Sequence, residues 1–136
     1  MAQLTQRDVD ILLRIWDMSR SEHMVQARNW MFTQFHVKDF DEFKVKHPRG
    51  SPEWSMFHEV CSHLELCGVL INRGLLNEDL YFDLVGGIET LWHKAKKVIY
   101  GLREETDPRM YENFELLFER CMKWQEAHPP KKPKKA

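Results

Sequence analysis

The chain has 136 residues, 43% apolar and 30% charged, with five Trp and eight Phe but only six Gly and six Pro. That length fits one domain with a core large enough to need no disulfides, and so few breakers favour helices over a turn-rich β fold. The net charge of −1 is uneven: Pro129 to Ala136 hold four Lys, leaving 16 basic against 21 acidic residues before them, a balance that argues against a broad phosphate-binding surface.

The first helix is expected from Thr5. Thr5 and Asp8 have the spacing of a capping box, and Leu4 can staple onto Val9. Val9, Leu12, Ile15, Trp16 and Ser19 then recur at helical spacing, and the pattern breaks at Ser19 to Ser21. Ser21 caps a second helix with Glu22 in its first turn, where an acid favours the dipole. Met24, Ala27, Met31 and Phe35 form its inner face. Residues 36–50 read as irregular, with Asp39 capping one short turn that docks Phe40 and Phe43, and His47-Pro48-Arg49-Gly50 as a break.

Ser51-Pro52 puts Ser at the N-cap and Pro at the first position of a third helix. It runs to Asn72 or Arg73, with Gly74 as a left-handed C-terminal cap. Its stripe is Trp54, Phe57, Cys61, Leu64, Gly68 and Ile71, and Leu66, Val69 and Leu70 make the second half apolar almost all round. Such a helix is expected at the centre of a domain. Asn77 caps a short fourth helix that Leu76 staples to Tyr81 and Gly86-Gly87 ends. The fifth has the cleanest stripe: Ile88, Leu91, Trp92, Ala95, Val98, Ile99 and Leu102. Asp107-Pro108 opens a sixth, with Met110, Phe114, Leu117, Phe118, Cys121 and Trp124 inward, and His128-Pro129-Pro130 closes it. The expected architecture is an all-α bundle of five to six helices. It forms one domain over 1–128, centred on the helix at about 51–73 and packed against the fifth and sixth helices. A Lys/Pro tail over 129–136 has nothing to bury and is expected to be disordered.

The ligand-type residues concentrate in His58-Glu59-Val60-Cys61-Ser62-His63-Leu64-Glu65-Leu66-Cys67. Glu59, His63 and Cys67 are four apart and share one flank, a spacing at which neighbours can chelate a metal or line a ligand site. His58 and His63 are five apart and diverge, so the zinc-protease spacing is absent. Glu65 enters the most apolar stretch and must be paired, take up a proton or reach solvent. Arg28 and Arg73 are candidate partners, and an Arg28–Glu65 pair would tie the N-terminal hairpin to the central helix. Cys61, Cys67 and Cys121 have no framework spacing and read as free thiols acting as small hydrophobes. Met18, Met24, Met31 and Met56 read as core filler. Gly86-Gly87 lacks the spacing of a dinucleotide turn and reads as a hinge. No cofactor is implied.

No basic-then-apolar leader opens the chain and no apolar run is long enough to span a bilayer, so a cytoplasmic location is expected. Surplus apolar residues off the inner stripes, Trp30, Phe32 and Leu66, point to a non-enzymatic protein–protein interaction module, with self-association as a homodimer one form of it. The alternatives are a ligand or metal site on the Glu59, His63, Cys67 flank, possible enzymatic use included, and weak nucleic-acid or membrane-surface contact through the Lys tail.

Four segments carry a resemblance: Glu22 to Trp30, Cys67 to Leu80, Leu91-Trp92 followed by Lys96-Lys97-Val98-Ile99, and Tyr111-Glu112-Asn113-Phe114-Glu115. Together they resemble a family of small prokaryotic and viral helical proteins known only as a domain of unknown function, over about Leu4 to Trp124. The resemblance implies an all-helical domain and no activity. In that pattern an Ala-Arg pair, an acid before the Gly turn and a Trp after it recur, and these match Ala27, Arg28, Glu65 and Trp92. Cys67-Gly68 stands where the family has a plain apolar residue with Gly, which weakens a thiol function.

Overall fold

The computed structural model describes residues 3–132, so the last four residues of the Lys/Pro tail lie outside it. Seven helices and no strand occur among the described residues: α1 (Gln6–Ser19), α2 (Glu22–Thr33), α3 (Phe40–Lys46), α4 (Pro52–Asn72), α5 (Glu78–Leu84), α6 (Ile88–Glu105) and α7 (Glu112–Ala127). The all-α class holds, with one helix more than expected. The addition is α3, where the sequence suggested a single turn. Asp39 accepts from the Glu42 amide at its start, and Phe43 is buried against Phe35 and Phe57, which holds seven residues helical.

The caps read from sequence form. Thr5 and Asp8 make the reciprocal capping box of α1, and Ser21, Ser51 and Asn77 each accept from the backbone three residues on. Gly74 closes α4 with φ +72° and hydrogen bonds back to Ile71. The C-terminal end of α2 is finished from another helix: the Lys94 ammonium of α6 donates to the carbonyls of Met31, Phe32 and Phe35, three acceptors without an intrahelical donor.

α4 is the central helix, but it packs chiefly on α7 and α2, while α6 meets α7, α3 and α2. The reason is the width of its apolar surface. Phe57, Val60, Cys61, Leu64, Cys67, Gly68 and Ile71 are all buried, enough for a neighbour on each flank. All seven stripe residues of α6 are buried as well.

α7 begins four residues later than Asp107-Pro108 suggested. Tyr111 takes a left-handed backbone, φ +54°, which a non-glycine residue adopts only when its surroundings hold it there. Arg103 supplies that hold. It donates to the Met110 carbonyl at 2.9 Å and the Tyr111 carbonyl at 3.3 Å, and it pairs with Glu115 at 2.7 Å. The α4–α7 approach is backbone to backbone, since a Cβ on Gly68 would sit 2.2 Å from the Asn113 carbonyl oxygen. Replacing Gly68 with Ala is therefore expected to destabilise the fold by about 2–3 kcal/mol, despite the better helix propensity of Ala. Thermal melting checks this through a fall of about 10 °C.

Candidate functional site

The polar residues of α4 divide between two seams. A helix turns once in about 3.6 residues, so Glu65 lies about 200° round from His63. His58, Ser62, Glu65 and Asn72 meet α7 and the turn before it, whereas Glu59 and His63 meet α2.

On the α7 side, Glu65 caps that helix from outside. Its two oxygens accept from the Phe114 amide and the Asn113 side chain, each at 2.9 Å. Tyr111, at the N-cap, gives no side-chain cap of its own, so this carboxylate satisfies an orphan amide at the positive end of the helix dipole. The pair with Arg28 does not form, because Arg28 is on the α2 side and donates instead to the Ser19 carbonyl at 2.9 Å. Two turns earlier, His58 Nδ1 bonds the Tyr111 hydroxyl at 2.6 Å, with the Trp54 ring tilted against the imidazole. Burial pushes the His58 imidazole down to about 4 and the Tyr111 phenol up.

On the α2 side the three flank residues part company. Glu59 pairs with His23, while His63 Nε2 meets the Cys67 thiol at 3.7 Å. Cys67 is fully buried, and burial pushes its thiol up to about 11. Glu59, His63 and Cys67 do not close a three-ligand site, and among the described residues no group of three His, Cys, Asp or Glu could hold a metal ion.

His63 instead lines a cavity of about 200 Å³ between α1, α2, α4 and the α5–α6 connection. Its walls are mostly apolar, among them Leu12, Ile15, Val60, Leu64, Leu84 and Leu91, with Trp16 also lining it. The polar groups around it are Ser19, Arg20, Arg28, His63 and Tyr81. The Arg20 guanidinium lies 5.7 Å over the Trp16 ring, within cation–π range. Burial and the charge of Arg20 both lower the Arg28 pKa, and burial and the charge of Arg28 lower that of His63. Neither arginine is in an ion pair with a carboxylate among the described residues.

Of the candidate interface residues, only Leu66 is on the surface, 38% exposed, in a shallow groove with Met18, Met24 and Trp54. Trp30 is buried, with its ring tilted on Phe35 and edge-on to His47. Phe32 is half-buried, and its ring occupies the space where a Cβ on Gly87 would stand. In the tail, Lys131 pairs with Asp83 at 2.8 Å. Sequence reasoning missed Trp16, Arg20 and Tyr81 as neighbours of His63. The Trp16/Arg20 spacing of four was the one local signal for them.

The model of a domain of unknown function, DUF4760, matches residues 4–124. The chain belongs to this family. No curated protein and no solved structure matches it. No helix of this DUF4760 domain is long and apolar enough to cross a membrane among the described residues.

His47, His58 and His63 set an acid limit on the stability of the domain. His58 has a folded pKa of about 4 against 6.5 for the free side chain. Between those values the unfolded chain binds the proton and the fold does not, so stability is lost as pH falls from about 6.5 towards 4. His47 and His63 are depressed by burial in the same sense. Urea midpoints are expected to fall across that window, with a shallower fall in His58→Phe.

Proposed function

We propose that the domain is a non-catalytic binding module whose working site is the cavity between α1, α2 and α4. The observation that carries this reading is the composition of the wall: apolar side chains around two arginines with no acid partner and one imidazole. Mostly apolar pockets with a few convergent polar groups are the usual form of a small-molecule site. Binding rather than catalysis is favoured by the thiol beside His63. Burial raises Cys67, and a thiol held protonated is a poor nucleophile. The size sets the occupant. An apolar cavity of about 150 Å³ takes benzene, so this one suits a single-ring molecule somewhat larger than benzene. Val60→Phe would grow the α4 wall into that space. Some member of a panel of probes of that size, neutral and charged, is expected to raise the melting temperature of the wild type and not of Val60→Phe. Val60→Phe alone is expected to melt no lower, because it fills empty volume. A panel without effect on the wild type, or equally effective on both proteins, overturns the reading.

A second reading, self-association, rests on a different face. Val9, Leu13 and Trp16 are 38%, 57% and 38% exposed and share one side of α1. Arg7, Asp10, Arg14 and Asp17 on the same helix make no ion pair among the described residues. With two charges of each sign beside an apolar ridge, a second copy is the complementary partner. Light scattering after size exclusion is expected to give a dimer for the wild type and a monomer for Leu13→Glu, with unchanged melting since Leu13 packs on nothing in the core. A wild-type chain that stays monomeric at high micromolar concentration excludes this reading.

A further inference from the structure

The cations around the cavity narrow its ligand, an inference that rests on the binding reading above. Arg28 is half-buried, and its one hydrogen bond is from Nη1 to the Ser19 carbonyl, the end of α1. The rest of the guanidinium fork has no protein acceptor among the described residues. Arg20 is close enough to depress Arg28 by like charge, and it too lacks an acid partner. This occurs in a chain with more acidic than basic residues, so acids are not scarce; none is placed here. A half-buried guanidinium without a counter-charge, beside a second, exposed one, is complementary to an anion.

His63 shares the cavity lining with Arg28. Its Nε2 lies 3.7 Å from the Cys67 thiol, and its Nδ1 is buried away from the cavity without a protein partner among the described residues. The imidazole is therefore a wall beside the Arg28 charge, and Arg28 is the cation left to meet a ligand.

We propose that the cavity binds a small organic carboxylate, its apolar body among Leu12, Val60 and Leu64 and its carboxylate on Arg28. A planar fork matches a carboxylate through two parallel bonds. The volume of about 200 Å³ admits one ring or short chain with that head, and it excludes a long acyl chain or a nucleotide.

Phenylacetate and 2-phenylethanol test this, because they share a body and differ in the head. Calorimetric titration of the full chain is expected to give phenylacetate at least tenfold tighter than the alcohol. Arg28→Met is expected to erase that preference, and Arg28→Lys to keep part of it. Equal affinity for acid and alcohol in the wild type overturns the carboxylate assignment and leaves the cavity reading standing. Binding of neither probe, in a protein whose probe panel also gives no thermal shift, overturns both. Acid preference that survives Arg28→Met overturns the assignment of the head group to Arg28.

Discussion

The close approach of α7 to α4 is the constraint to which the other helices conform. It needs three things at once: no side chain at Gly68, a carboxylate at Glu65 to receive the first amides of α7, and a turn that swings the chain into position at Tyr111. Each answers a cost that the others create. Bringing backbones together buries the N-terminal amides of α7, so an acceptor must come from α4. Placing Glu65 there puts a carboxyl group within a packed seam, where amide donors and the positive end of the helix dipole meet it. The left-handed Tyr111 is in turn held by Arg103 from α6, which joins the third helix of that corner to the other two.

Once α7 takes the Glu65 side of α4, the other side is left to α2, and the two seams acquire different chemistry. The α7 seam is bonded across by carboxylate to amide, histidine to phenol and amide to amide, with His58 Nε2 and Asn72 Oδ1 left without a partner among the described residues. The α2 seam has its surplus in donors and positive charge, with Arg20, Arg28 and His63 together and Glu59 turned aside to His23. Structural polar groups are normally paired where they are buried. What sets the α2 seam apart is charge: two arginines that no acid meets among the described residues.

What could be read from the residues follows the same division. Caps and inner stripes are local, and Thr5/Asp8, Ser51-Pro52, Gly74 and the α6 stripe all stand where periodicity and capping chemistry put them. The start of α7 was not legible, because Asp107-Pro108 carries a valid local signal that Arg103 and Glu65 override from elsewhere in the chain. The Arg28–Glu65 pair failed for a related reason. Sequence told which residues of α4 needed partners but not which helix each flank would face. Val9 and Trp16 read as inward because their spacing matched Leu12 and Ile15, yet α1 has more apolar surface than the core has room to cover.

The cost of the arginines can be placed within that picture. A half-buried guanidinium beside a second cation destabilises the empty protein, and the nearby α1 carbonyl returns only part of the lost solvation. Nothing in the α4–α7 architecture requires that cost. Replacing Arg28 by an apolar side chain would leave Gly68, Glu65 and Tyr111 untouched, and Ala27, its fully buried neighbour, already supplies the close packing of α2 on the core. Charge that packing does not need, and that the chain's own acids do not neutralise, is best accounted for by an anion from outside. The Ala27-Arg28 pair then joins the two purposes in adjacent residues, one fixing α2 against the core and the other facing what the cavity receives.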